Sequence, residues 1–260
     1  SCGGLIQTTI NDGVTLYRNL YIDNKTRNPK VKGLNQFVNN VLYNWGNGGA
    51  YIMGDTQQKS DADIRNNYFI VGTTDNYDGK KLGATAPFTR YNEHFSAYLS
   101  GNFYDDNKDG LLNGRELGRA DCMKKSVVAG EEIITSPTFL ERPSDVHPEI
   151  KELMTAQEAY EWIVANGGSS LPVRDEVDAY LIDELTSLGK KGLIIHSEED
   201  IPTKGPGNIK SAKAPADTDN DGMPDEFEDK YGLDKNDPAD AMKVASNGYT
   251  NIENYIFLIK

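Results

Sequence analysis

The 260-residue chain carries 37% apolar and 26% charged residues, enough for one large core with a small appendage. Its formal charge of −13 at pH 7 excludes a nucleic-acid partner, which needs a basic face, and admits a polyanionic ligand only where charge is uneven or metal ions intervene. The longest apolar run, Tyr255 to Ile259, is too short for a membrane span of about 20 residues.

In the first hundred residues four segments share one shape, an Asn followed by a short apolar or aromatic run: YRNLYI at Asn19, VNNVLY at Asn40, RNNYFI at Asn67 and SGNFYD at Asn102. This loose repeat predicts stacked coils of a right-handed parallel β-helix, an all-β fold in which each coil adds a strand beside the last. Asn suits the bends because it tolerates left-handed backbone, and stacked amides bond one another between coils. An antiparallel sandwich is the alternative. It calls for Asn-Gly hairpins between neighbouring strands, and in the first hundred residues the sequence offers Asn47-Gly48 alone, while Asn166-Gly167 follows a helical pattern.

Within the repeat, residues 17–33 carry Arg18, Lys25, Arg27, Lys30 and Lys32 against Asp23 alone. A solvated charged face is one reading. The stretch Arg27-Asn28-Pro29-Lys30-Val31-Lys32 supports another, because Pro29 stiffens the segment and presents rigid cations suited to carboxylate groups. Trp45 nearby is open between a ligand-stacking and a core role.

The segment 105–116, DDNKDGLLNGRE, matches the EF-hand loop, with Asp105, Asn107, Asp109, the carbonyl of Leu111, Asn113 and Glu116 as oxygen ligands and Gly110 at the turn. Glu116 is expected to close the shell from a helix start. A helix is predicted over 155–166, with Thr155 and Glu158 as a capping box and Ala159, Trp162 and Ile163 on its packed face. A second follows over 175–188, with Val177, Leu181, Leu185 and Leu188 on one side; the pair is expected to cover the β-helix. Residues 202–216 read as a Pro-, Gly- and Lys-rich linker.

The segment 217–228, DTDNDGMPDEFE, repeats the calcium pattern with Asp217, Asp219, Asp221, the carbonyl of Met223, Asp225 and Glu228. An acidic turn without metal is the alternative for both loops. Asp237 and Asp240 follow the second loop in too loose a pattern to assign. A final helix from about Thr250, capped by Glu253, completes a unit of 44 residues that is too small to hold together easily without metal. The domain division is therefore 1–104 (coils), 105–201 (calcium loop and helical cover), 202–216 (linker) and 217–260 (calcium module). His94, His147 and His196 show no metal spacing. Cys2 and Cys122 form no recognisable framework, and the opening Ser with no export signal reads as a processed chain or fragment.

The string NLYIDNKTRNPKVKGLNQFVNNVLYNWG resembles the pectate lyases of polysaccharide lyase family 1, whose motif Arg-x-Pro-x-x-Arg appears here as Arg27 to Lys32 ahead of the Asn39-Asn40 pair. The later stretches RYNEHFSAYLSGNFYDDNKDGLLNGRELG and GYTNIENY are similar to the C-terminal region of that family, in its bacterial branch. The tail around YGLDKNDPADA resembles a thrombospondin type 3 or dockerin-like calcium repeat.

The resemblance implies cleavage of polygalacturonate, the pectin of plant cell walls, by calcium-assisted β-elimination. Arg27 would take the C5 proton of a galacturonate unit, with Lys32, Lys30 and Arg18 on substrate carboxylates. A guanidinium carries its proton near neutral pH, so such a base calls for the neighbouring cations that Lys30, Lys32 and metal help supply. Two departures stand out: Lys32 replaces the second motif Arg and loses its bidentate fork, and Tyr17 and Arg18 replace a His pair found one coil earlier. The family's acidic ligands for catalytic calcium lie in N-terminal coils. A secreted, periplasmic or cell-surface monomer is expected. The competing reading is a non-catalytic calcium-stabilised carbohydrate-binding or structural module; a pectin hydrolase fits less well, because hydrolysis wants paired carboxylates where this segment offers cations.

Overall fold

Strands of two to six residues dominate the described part of the first 140 residues, in keeping with the spacing of the Asn signals. The computed structural model describes residues 2–46, 49–54, 57–77, 80–81, 85–170, 173–210 and 213–258, so the Asn47-Gly48 signal and residues 211–212 of the expected linker fall outside it. In chain order the strands are β1 (Leu5–Gln7), β2 (Val14–Tyr17), β3 (Leu20–Ile22), β4 (Lys30–Lys32), β5 (Leu34–Val38), β6 (Val41–Tyr43), β7 (Gly49–Met53), β8 (Ser60–Arg65) and β9 (Tyr68–Ile70). They continue as β10 (Asn76–Tyr77), β11 (Lys80–Lys81), β12 (Ala86–Thr89), β13 (Phe95–Ser100), β14 (Phe103–Asp105), β15 (Arg115–Glu116), β16 (Lys124–Val128), β17 (Glu131–Thr135) and β18 (Thr138–Phe139). The helices are α1 (Ala156–Asn166), α2 (Glu176–Thr186), α3 (Asp225–Tyr231) and α4 (Asn251–Leu258).

Three sheets run in the orders β1-β4-β7-β12, β2-β5-β8-β13-β18 and β3-β6-β9-β14-β15, and every pairing within them is parallel except β14 with β15. Successive strands visit the three sheets in turn, and each circuit lies beside the one before. This is compatible with the coils of a parallel β-helix and excludes the antiparallel sandwich.

Alternation along each strand sends one side chain per row inward, where it stacks on its counterpart in the next circuit. Leu16, Phe37, Ile64 and Leu99 form one such column by register, and Tyr21, Leu42, Phe69 and Tyr104 another. Trp45 joins this core at 2% exposure, so it is no ligand platform.

The bends between the second and third sheets are held by the four Asn residues. Asn19 donates through Nδ2 to Oδ1 of Asn40 (2.9 Å), Asn40 to Asn67 (3.0 Å) and Asn67 to Asn102 (2.8 Å). Each acceptor amide also donates to a strand carbonyl of the preceding circuit: Leu16, Phe37 or Ile64. The residue before each Asn is left-handed, at Arg18, Asn39, Asn66 and Gly101, with φ between 53° and 63°. At Gly101 a Cβ would sit 2.0 Å from Oδ1 of Asn66, so the last bend needs glycine.

Helix α1 begins as its capping box predicts: Thr155 Oγ1 accepts from Glu158 N, and Glu158 Oε2 accepts from Thr155 N. It packs with α2 on the outside of the third sheet, where Ala156, Tyr160, Ile163, Ile182 and Leu185 meet Val41, Tyr43, Tyr68 and Ile70. Trp162 is half-buried at the edge of this cluster. The inward face of α2 is rotated from expectation: Ile182, Glu184 and Leu185 are buried, whereas Val177 and Leu181 are half-buried. Glu184 causes the difference, because it turns in to face Asp23 at the end of β3. Burial, reinforced by the hydrogen bond and charge of Glu184, pushes Asp23 up to about 9.

Candidate functional site

Arg27 sits at the entry to β4, left-handed at φ 58°, on a turn that pairs with the chain start: Gly4 N donates to Arg27 O at 2.8 Å. Its Nη1 lies 3.6 Å from Cys2 Sγ, and Cys2 and Cys122 are both free thiols. The Asn28-Pro29 bond is cis, and Asn28 is buried. In β4 the chain alternates, so Val31 is fully buried while Lys30 and Lys32 stand together on the outer face, half-buried. The register carries that outer row from Lys30 to Ile52 of β7 and on to Thr89 of β12.

Over this row lies a groove of about 550 Å3, lined by Thr26, Gly49, Ile52, Thr89, Arg90, Tyr91, Lys124 and Thr135. Its far wall is the open end of the antiparallel hairpin β16–β17, where Lys124 pairs with Thr135. The groove is therefore lined by the cations Arg90 and Lys124 and by Tyr91, while Lys30 lies beside its Ile52 in the sheet and Arg27 follows its Thr26 in sequence. Sequence reasoning missed Arg90, Tyr91 and Lys124, since nothing in the order of residues says that a hairpin near residue 130 returns to the first sheet.

Arg18 is not with these cations. It lies at the turn between β2 and β3, where Nη2 pairs with Glu152 Oε2 at 2.9 Å and the guanidinium stacks 4.6 Å from the Tyr17 ring and 4.8 Å from the Trp162 ring. The structure thus places Arg18, expected with Lys30 and Lys32 on substrate carboxylates, on a different bend from β4. Proximity in sequence misled because the chain crosses from one sheet to another between Arg18 and Arg27. The His147 side chain is 2% exposed, with Nε2 2.9 Å from Asp61 Oδ1 on the second sheet.

The two calcium-like loops differ. In 105–116, Asn107 Nδ2 donates to Asn113 Oδ1 (2.7 Å), Asn113 Nδ2 donates to Asp109 Oδ2 (2.9 Å), and Asp105 Oδ2 accepts from Asn113 N (3.2 Å). Glu116 does not start a helix; it lies exposed in β15, paired with Phe103. The carboxylates of Asp105, Asp109 and Glu116 thus form no cation-sized cluster, because the loop satisfies itself and β14 draws Glu116 into a ladder. The loop at 217–228 is the reverse. Asp217, Asp219 and Asp221 bring oxygens within 4.8 Å of one another, as do Asp221, Glu228 and Asp240. Burial and the surrounding carboxylates push Glu228 up to about 7. Met223 is buried and donates its N–H to Asp221 Oδ1. Asp225 is turned away, accepting from Thr218 N (2.7 Å) and Thr218 Oγ1 (2.8 Å), and those bonds hold its carboxyl below the usual range.

The chain is similar to curated proteins named probable pectate lyase C. That of Neosartorya fischeri is 46% identical over 253 residues, which are 97% of this chain and 54% of the relative. That of Aspergillus terreus is 45% identical over 253 residues, with the same shares, and that of Emericella nidulans 44% over 254 residues, 97% and 53%. The chain spans about half the length of the curated relatives it matches. These relatives are fungal, which overturns the assignment to a bacterial branch. No family model matches the chain, and no solved structure matches it.

Proposed function

We propose that this chain is part of a pectate lyase that cleaves polygalacturonate by β-elimination, on the surface of a right-handed parallel β-helix and outside the cell. The observation that carries the reading is the similarity over 97% of the chain to proteins named probable pectate lyase C. A groove of about 550 Å3 that carries Arg90 and Lys124 and lies over the sheet row containing Lys30 supports it. The domain division proposed from the sequence stands with it: coils to residue 104, a covering segment to 201, a linker to 216 and a thrombospondin type 3 or dockerin-like calcium module to 260.

In this reading Arg27 takes the C5 proton of a galacturonate unit. The electron pair forms the C4–C5 double bond as the C4–O bond breaks, and the departing oxygen acquires a proton from solvent. Lys30 and Lys32 hold the carboxylate whose charge grows as the proton leaves, where fixed cations lower the barrier most. Arg90 and Lys124 meet the carboxylates of neighbouring units, and Tyr91 offers a ring to a sugar face. None of the residues lining the groove is a carboxylate, so the groove itself does not fit a bound calcium. The same fact favours the second reading, a carbohydrate-binding surface without turnover.

The test is release of unsaturated uronide from polygalacturonate, followed by its ultraviolet absorbance, with the protein carrying this chain and its Arg27→Ala variant, in calcium and in chelator. A calcium-dependent rise that Arg27→Ala abolishes is expected. Binding of the polymer with no rise would replace the lyase with the binding module.

A further inference from the structure

The tail has almost no apolar core. In residues 217–258 the buried apolar side chains are Met223 and Ala241 alone among the described residues, while Tyr231, Met242, Val244, Tyr249, Ile256 and Phe257 are exposed. Yet two carboxylates are as buried as any core residue: Glu228 at 0% exposure and Asp240 at 3%. Buried charge without a partner is strongly destabilising, so a cation opposite these groups would offset it.

Their oxygens show where. Both carboxylate oxygens of Glu228 and Oδ1 of Asp240 are buried without a hydrogen-bond partner, and so are Oδ1 of Asp217, both oxygens of Asp219 and Oδ2 of Asp221. The remaining oxygens are used in the backbone: Asp217 Oδ2 accepts from Gly222 N, Asp221 Oδ1 from Met223 N, and Asp240 Oδ2 from Asp234 N. Asp217, Asp221 and Asp240 thus each spend one oxygen on fixing the loop and leave the other unpartnered. The neighbouring acids are otherwise engaged, Asp225 by Thr218 and Asp237 by Lys243 at 2.8 Å.

We propose that the tail holds one calcium ion through Asp217, Asp219, Asp221, Glu228 and Asp240, with Asp240 rather than Asp225 completing the shell. The proposal rests on the calcium reading of this loop and not on the lyase activity. Hard oxygen donors gathered from a flexible loop and a separate segment suit calcium, which takes six to eight oxygens in irregular geometry, better than magnesium, which demands a small octahedron. The consequence is mechanical. Asp240 O accepts from Asn251 Nδ2 at 2.9 Å, and Ala241 O accepts from Ile252 N at 3.0 Å, so a cation that fixes Asp240 also seats the first turn of α4. A shell that used Asp225 in place of Asp240 would leave that segment outside it.

The experiment is calcium titration of the whole chain, read by hydrogen exchange of peptides from residues 213–258, which separates the tail from the loop at 105–116. Asp240→Asn is expected to weaken the calcium-induced protection roughly tenfold or more, as loss of a charged ligand does. Asp225→Asn and Asp237→Asn are expected to leave the midpoint near that of the parent, and Glu228→Gln to abolish the response. A parent tail with no response to calcium would sink the calcium reading itself. A response lost in Asp225→Asn and kept in Asp240→Asn would overturn the proposed shell while leaving a calcium site of the ordinary EF-hand kind.

Discussion

Asn67 shows how much one side chain can hold. Its Oδ1 accepts from both the backbone N and Nδ2 of Asn40, and its Nδ2 donates to Phe37 O and Asn102 Oδ1, all out of contact with water. Asn67→Ala leaves several buried groups unpaired at once, and at about 1–3 kcal/mol for each it is expected to lower stability by several kcal/mol, measurable in urea unfolding. The ladder was legible in the sequence because it repeats one residue type. The left-handed residues beside it were not, since Arg18, Asn39, Asn66 and Gly101 share no chemistry. Asp23 gives a second residue-level test. An unfolded carboxyl titrates near 4, whereas Asp23 in the fold titrates at about 9, so the folded chain binds more protons between those values. Its stabilising contribution is therefore complete below about pH 4 and is lost as pH rises towards 9. Asp23→Asn keeps the shape without the charge. It is expected to melt a few degrees above the parent at pH 8, at roughly 2–4 °C per kcal/mol for a chain of this size, and level with it at pH 4. An equal melting temperature at both pH values would show that Asp23 is already ionised against its surroundings.

At the scale of elements, helix ends were easier to read than helix faces. The Thr155–Glu158 box marks the start of α1 by a local bond, whereas the inward side of α2 depends on what waits across the interface, and there Asp23 faces Glu184. Two substitutions separate the sequence pattern from the packed face. Leu185→Ala removes a fully buried side chain and is expected to cost about 2–5 kcal/mol, while Val177→Ala, on a half-buried position, is expected to cost well under half as much. Comparable losses would mean that the apolar stripe read from the sequence is the packed one. The calcium-like loops follow the same rule. Their spacing is alike in sequence, but Asn at positions 107 and 113 lets the first loop bond to itself, and β14 captures Glu116; the second loop satisfies Asp225 but leaves oxygens of Asp217, Asp219, Asp221 and Glu228 without partners.

Across the whole molecule charge is sorted by position. Residues 217–260 hold eleven acids against four bases, a net −7 out of −13, while the groove on the first sheet is lined by Arg90 and Lys124 and by no acid. The two extensive apolar clusters draw no residue from beyond Leu188 among the described residues, so nothing in the core of the coils depends on the tail. Without a cation the tail has mutual repulsion and two buried apolar side chains to set against it; with calcium bound, stability rises with ligand concentration by mass action. Calorimetry of the whole chain is therefore expected to show two transitions, with calcium raising only the lower one and chelator abolishing it. The upper transition, carried by the Asn ladder and the inward columns, is expected to stay within a degree or two. High salt in place of calcium screens the repulsion without supplying a ligand shell, so it should recover only a small part of the lower transition. A single transition that calcium shifts as a whole would mean that tail and coils unfold together, and that the ion stabilises the groove as well as the appendage.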